Sequence, residues 1–287
     1  MAELAGRQFN RISRAQLEGL GLSEPAIAHR VASGRLVIVE QGVFAVAPAL
    51  EHDEWGLWMG ATLTAPGSEL SHQSAASAFG FWSLERRIET VTRPGSGGPR
   101  RHGGVLVYRS STLDGDCTVL RGIPVTSPPR ILIDLARTVS ERALARAVRE
   151  AVRLELTTIE ALGDALGRHR GRRGVRRLGL TITRYRGLPL ERARSGAEIR
   201  ALEVLRAAQR TLPLLNRRIA GEEADLSWPA QRLIIEIDGG PFHLDAGEDQ
   251  RKRRIWESAG WSVRRIPSDD VYQRPRRLLD LAPNVPR

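Results

Sequence analysis

The chain contains one cysteine, Cys117, and one lysine, Lys252, in 287 residues. A lone thiol excludes an internal disulfide and a thiol-rich metal site, so the fold depends on neither, and Cys117 reads as inert. No apolar run approaches the ~20 residues of a membrane span, and the first residues carry no apolar core of a signal-peptide type. A cytoplasmic protein with no membrane partner is therefore expected. The hydrophobic fraction of 41% and charged fraction of 27% are those of a globular protein, and the length allows two or three domains.

What is abundant is arginine. The net charge of +11 points to a polyanion such as DNA, because phosphate neutralisation dominates non-specific affinity. The basic residues cluster at Arg168-His169-Arg170-Gly171-Arg172-Arg173, at Arg251-Lys252-Arg253-Arg254 and at Arg274-Pro275-Arg276-Arg277. Each cluster reads either as a nucleic-acid contact or as a solvated face.

Along the chain, Ser13 caps a helix that Gly21 ends, and Ser23 caps a second with Pro25 in its first turn. Residues 36–39 and 43–46 are β-branched runs joined by Glu40-Gln41-Gly42, a tight hairpin. Two short helices followed by a β-wing is the order of a winged helix-turn-helix, whose second helix would offer His29, Arg30, Ser33 and Arg35 to DNA. A small α+β subdomain without DNA contact has the same pattern. The middle of the chain reads as an α+β scaffold or spacer: a helical stretch over 55–82 and a loop over 94–104, then strands at 105–109 and 118–125. Next come a long helix from Ser127 to beyond Val148, and a helix begun by Thr157 and Glu160. His72 reads as a helix-start or core histidine, since no second ligand stands at metal spacing. The expected domains are 1–50, 51–188 and 189–287.

The last domain departs most from local rules. Residues 224–228 and 233–239 read as a hairpin, and the second run is apolar on both faces, as in a strand covered on both sides. A carboxylate there is costly unless paired or bound to a cation. Glu236 and Asp238, two apart, share one face, and Asp225, eleven positions before Glu236, sits where a hairpin brings it alongside. Such a cluster suits Mg²⁺ (or Mn²⁺), the usual occupant of a small all-oxygen site that also holds phosphate. Glu198 shares the inward face of a helix begun by Ser195. After the hairpin come Phe242-His243 and a helix over 246–259 on which Asp249 and Arg253 can pair at i,i+4. A strand over 261–266 and a helix over 275–281 close the domain.

This C-terminal order, with Ser195 to Glu198, Asp225-Leu226-Ser227-Trp228-Pro229, Ile235-Glu236-Ile237-Asp238-Gly239, Phe242-His243, Asp249 to Arg253 and Ala259-Gly260-Trp261-Ser262-Val263, resembles the PD-(D/E)XK nuclease fold. Within it the likeness is to the Vsr-like branch that includes the domain of unknown function numbered 559. The resemblance implies an α/β restriction-endonuclease-like mixed sheet flanked by helices, with Asp225 and Glu236 holding the metal and Glu198 oriented toward it. The family's general pattern has a lysine where this chain has Asp238. By resemblance, His243 would serve as general base or acid, or Lys252 or Arg253 would approach the scissile phosphate from the following helix. A non-catalytic nuclease-like fold kept for DNA binding, and a structural acid–arginine network, remain open.

The first half carries a second resemblance. Arg11-Ile12-Ser13-Arg14-Ala15-Gln16, Ser33-Gly34-Arg35-Leu36, Gly42-Val43-Phe44-Ala45-Val46, Ser71-His72-Gln73-Ser74-Ala75-Ala76 and Gly122-Ile123-Pro124-Val125-Thr126-Ser127-Pro128 look like AbiEi-type antitoxins. That likeness implies operator binding and a toxin protein as a partner, and a homodimer would suit a palindromic site. The expected function is a Mg²⁺-dependent DNA endonuclease. Its alternatives are a non-catalytic antitoxin or repressor, and an enzyme that cuts RNA.

Overall fold

The computed structural model of the chain describes residues 1–47, 53–83, 88–239 and 246–284. It is a mixed α/β protein of two compact units, one formed by Met1–Ala147 and Glu160–Gly179, the other by Val148–Ile159 and Leu180–Arg287. Among the described residues no helix is long and apolar enough to cross a membrane.

The first unit opens with α1 (Ala2–Gly6), β1 (Arg11–Ser13), α2 (Arg14–Gly19), α3 (Glu24–Ala32), β2 (Leu36–Glu40) and β3 (Val43–Val46). The three strands form an antiparallel sheet in the order β1-β3-β2. Ser13 caps α2 as expected, its Oγ accepting from the Gln16 N–H while the Gln16 side chain accepts from the Ser13 N–H. The expected cap at Ser23 does not form a side-chain hydrogen bond, because Pro25 removes one of the two N–H groups a cap can use. Ile12, Leu17, Ile27, Leu36 and Phe44 close a small core. Neither α1 nor β1 is evident in the periodicity, since each is too short to show one.

The same unit continues with α4 (Glu54–Thr64), β4 (Glu69–Leu70), α5 (His72–Ala78), β5 (Thr90–Pro94), β6 (Arg100–His102), β7 (Val105–Ser110), β8 (Cys117–Leu120), β9 (Ile123–Thr126) and α6 (Pro128–Thr138). α7 (Glu141–Arg153), α8 (Ile159–Arg168) and α9 (Val175–Tyr185) follow. The strands make a mixed six-stranded sheet in the order β6-β7-β5-β4-β9-β8. Four expectations are corrected here. The apolar stretch after Trp55 is two helices around a short strand, since Pro66 pushes Ala65 out of the helical region. The 94–104 loop contains β6, which pairs with β7 across Gly103-Gly104. The strand expected over 118–125 is a hairpin, turned by Arg121 and Gly122 at φ 50° and 84°. The long helix after Ser127 is two helices, broken at Val139, with Ser140 Oγ accepting from the Ala143 N–H at the start of the second.

The second unit adds α10 (Gly196–Ala207), β10 (Leu214–Ile219), β11 (Glu222–Trp228), β12 (Leu233–Asp238), α11 (Ala246–Ser258), β13 (Ser262–Pro267), α12 (Ser268–Gln273) and α13 (Pro275–Leu281). Its four-stranded sheet runs β10-β11-β12-β13, antiparallel except for the parallel pair β12–β13. β10 and α12 were not foreseen, β10 because Asn216, Arg217 and Arg218 interrupt any apolar alternation. The indoles of Trp228 and Trp256 hold this edge strand and its approach, donating to the carbonyls of Thr211 and Ile219. Trp256 of α11 packs with Ile219, Ala224 and Ile234 in the core beneath the sheet.

Candidate active site

The β11–β12 ladder is regular through Leu226↔Ile235. At the next position the two strands exchange side-chain bonds for ladder bonds. The Asp225 N–H donates to Glu236 Oε1 at 3.0 Å, and the Ile237 N–H donates to Asp225 Oδ2 at 2.8 Å. The two acids therefore take the place of ladder carbonyls between the two inner strands of the sheet, at the N-terminal part of β11 and the C-terminal part of β12. Their other oxygens, Asp225 Oδ1 and Glu236 Oε2, receive no donor from the described residues.

Burial dominates the titration of both. It pushes the Asp225 carboxyl up to about 6, opposed by the Ile237 N–H and reinforced by the charge of Glu198. It pushes Glu236 up to about 7, and the neighbouring Asp225 charge adds to the effect. Lys252, the chain's sole lysine, holds both down from α11, and Arg265 also lowers Glu236. Two carboxyls that repel each other and titrate as a pair near neutral pH are a favourable place for a cation.

Asp238 and Asp249 are used differently. Arg265, abreast of Glu236 on the parallel strand β13, lies 2.6 Å from Asp238 Oδ1 and 2.6 Å from Asp249 Oδ2, bridging β12 to α11. The anticipated i,i+4 pair between Asp249 and Arg253 is replaced: Arg253 reaches forward to Glu257 at 2.8 Å, and Asp249 turns to Arg265. Both partners of Arg253 are one helical turn away, and the cross-strand arginine captures Asp249. Lys252 approaches Glu248 only to 4.0 Å.

Glu198 is buried at 4% exposure, but local bonds account for much of that. Ser195 Oγ accepts from the Glu198 N–H, and Glu198 Oε2 accepts from the Arg194 N–H at 2.9 Å and from Asn216 Nδ2 at 2.7 Å. It is thus tied into the start of α10 and acts on Asp225 through its charge. Asn216 also lines a cavity of about 700 Å³ together with Arg192, Arg194 and Arg217. Arg265 and Asn216 are members of the candidate site that the sequence does not single out. The signal for Arg265 was a guanidinium inside a strand, which reads as solvated until its partners are known. His243, with Phe242, lies outside the described residues.

In the first unit, His29, Ser33 and Arg35 are exposed on and just after α3. Arg30 is turned back on its own helix, donating to the Ala26 carbonyl at 2.9 Å. His72 is a core residue, stacked on Tyr108 at 4.0 Å, and burial pushes its imidazole down to about 4.

Among the described residues no three His, Cys, Asp or Glu side chains form a metal-holding group. The Asp225–Glu236 pair nonetheless fits Mg²⁺, which is commonly held by one or two carboxylates while keeping waters and substrate phosphates as its other ligands. The fold is mixed α/β and the site is a two-carboxylate cluster with cations behind it. No family model matches the chain, and no curated protein matches it. Among solved structures the chain is similar to the catalytic domain of the homing endonuclease I-Bth0305I, at 19% identity over 30% of this chain and 89% of that one, with a TM-score of 0.26. So slight a likeness carries no weight for function, which rests on the geometry above.

Proposed function

We propose that the protein is a metal-dependent nuclease that hydrolyses phosphodiester bonds in DNA, with Asp225 and Glu236 as metal ligands. The observation that supports this reading is the paired carboxylates themselves: half-buried, mutually repelling, fixed by backbone N–H groups, and each with an oxygen to spare. Asp225 and Glu236 would hold the cation, which would supply positive charge to the non-bridging phosphate oxygens and acidify water. The chain's own residues do the rest. Lys252 brings the one ammonium group to the site from α11, taking the part of the lysine that Asp238 displaces. Arg265 keeps Asp238 and Asp249 neutralised, leaving the metal ligands to Asp225 and Glu236. Glu198 stiffens the start of α10, and Arg192 and Arg217 line a cleft suited to a phosphate backbone. His243 as a general base belongs to the same proposal.

The test is supercoiled plasmid with Mg²⁺ or Mn²⁺, comparing the wild-type chain with Asp225→Asn and Glu236→Gln. Nicking by the wild type alone is expected. Equal nicking by all three, or by none, would sink the nuclease reading.

One observation favours a second reading, a DNA-binding repressor of antitoxin type without catalysis. Of the five acids around the site, Asp238 and Asp249 are paired with Arg265 and Glu198 is bonded to the Arg194 N–H and Asn216, so among the described residues no three carboxylates gather for a metal. In that reading the helix-turn-helix and β2–β3 hairpin act as a winged helix and present His29, Ser33 and Arg35 to an operator. Operator binding that survives both substitutions, with no cutting by the wild type, would establish it.

A further inference from the structure

The three basic clusters of the sequence have different fates in the fold. In Arg251-Lys252-Arg253-Arg254, Arg251 pairs with Glu222 at 2.7 Å and Arg253 with Glu257 at 2.8 Å. In Arg274-Pro275-Arg276-Arg277, Arg274 and Arg277 both turn to Asp270, at 3.6 and 2.6 Å. The cluster between α8 and α9 is built the other way round. Its inward residues are anchors: His169 meets the buried Asp116 at 2.6 Å, and Arg172 meets Asp134 at 2.9 Å while donating to Ser110 Oγ and Thr112 Oγ1. Gly174, at φ 93°, presses on α6 so closely that a Cβ would come within 3.1 Å of the Ile133 carbonyl. With the turn pinned at these points, Arg168, Arg170, Arg173 and Arg176 are all exposed, and none of them has an acid partner among the described residues.

The local electrostatics make this arrangement unfavourable in isolation. The first turn of α9 carries no acid and two arginines, Arg176 and Arg177, although a helix start prefers negative charge. Arg177 is occupied by the Ala136 carbonyl, but Arg176 is not. Uncompensated guanidinium groups on a preordered turn at a helix start are what a phosphate backbone neutralises with little loss of side-chain freedom.

We propose that the 168–176 turn is a sequence-independent contact surface for the phosphate backbone of duplex DNA, held in shape by the Asp116–His169 and Asp134–Arg172 pairs. This rests on the reading of the protein as one that handles DNA, but not on catalysis. The test uses the full chain in EDTA, so that no cutting occurs, with a fluorescent duplex titrated over a range of salt. The triple variant Arg168→Ala, Arg170→Ala, Arg173→Ala is expected to lower the log–log salt slope by roughly 2 to 3 and to weaken binding on the order of 100-fold near 0.1 M salt. Arg170→Ala alone should lower the slope by about 0.9. A control with the same charge loss elsewhere, Arg142→Gln, Arg146→Gln, Arg276→Gln, should keep nearly all of the slope.

An unchanged slope in the triple variant, an equal loss in the control, or a wild-type chain that binds no duplex would each overturn the surface. The same arginine dependence on duplex RNA of matching sequence would overturn DNA as its occupant. The two proposals separate cleanly. A chain that binds DNA through these arginines but never cuts it removes the nuclease reading alone. Cutting that persists in the triple variant at unchanged KM removes the surface alone.

Discussion

Asp225 and Glu236 each hold the other's strand, the first strand's N–H on Glu236 Oε1 at 3.0 Å and the second strand's Ile237 N–H on Asp225 Oδ2 at 2.8 Å. This reciprocal clasp places two carboxylates side by side where ladder hydrogen bonds would otherwise lie. It joins the two inner strands of the sheet where their ladder ends, and it keeps two like charges together that would separate if free.

The clasp carries a pH signature. Both groups titrate higher in the folded chain than when exposed, Asp225 from 3.8 to about 6 and Glu236 from 4.5 to about 7. The folded state therefore binds more protons, and the stabilisation is complete below about pH 4 and is lost as pH rises through 6 and 7. Metal-free protein should melt several degrees lower at pH 8 than at pH 5.5 on account of this pair, on the scale of roughly 2–4 °C per kcal/mol. Glu236→Gln keeps an acceptor for the Asp225 N–H and removes the repulsion, so its melting temperature should depend less on pH. Mg²⁺ should restore the wild type at pH 8 and leave Glu236→Gln unmoved, read by differential scanning calorimetry.

Lys252 should control activity more than metal affinity. Replacing it with methionine lets both carboxyls rise further, so the acid limb of the rate–pH profile moves to higher pH. Loss of a preorganised charge should cost on the order of 100-fold in turnover. Metal binding by calorimetry at pH 8 should be unchanged or tighter, because a competing cation is gone. A Lys252→Arg chain that recovers the pH profile but not the rate would separate charge from shape.

Arg265→Leu should release Asp238 and Asp249 toward the site. The three side chains are 38%, 27% and 29% exposed, so the direct loss in stability is small, about 1 kcal/mol after screening. The larger effect falls on the neighbouring pair, since Arg265 helps to hold Glu236 down. Urea unfolding should show the modest loss, and a steeper fall in stability with pH should accompany it.

Arg130 is the most exacting residue of the first unit. It is fully buried, bonds Asp134 at 3.0 Å and the Thr112 carbonyl at 2.7 Å, and lies 3.4 Å from Asp116. Arg130→Met leaves two buried aspartates to Arg172 and His169, and should cost about 3–5 kcal/mol. A fall in the urea midpoint, with amide-hydrogen exchange accelerated in the first unit and unchanged in α10 to β13, would show where the damage lies.

Much of the candidate site is legible along the chain, and the reason is specific. A carboxylate in an apolar strand is rare enough to announce itself, which is how Asp225, Glu236 and Asp238 stood out, and Ser195 with Glu198 marked a helix start. Arginines are different because they are numerous and any one can be solvated. Nothing in the order Trp261-Ser262-Val263-Arg264-Arg265 distinguishes Arg265, which bridges two aspartates, from Arg264, which donates to the Leu281 carbonyl. The long helix expected after Ser127 failed for a related reason, since its periodicity passes unbroken through Val139 although the backbone there is extended.

The sequence by itself determined the mixed α/β character, the placing of helices by their caps, and the strand that carries the acids, because burial periodicity and capping act over a few residues. Only the tertiary structure decided which charges meet. Ion pairing depends on what neighbouring strands and helices bring within 3 Å, so it took the parallel register of β12 and β13 to assign Arg265 to Asp238 and Asp249, and the antiparallel register of β11 and β12 to lock Asp225 against Glu236.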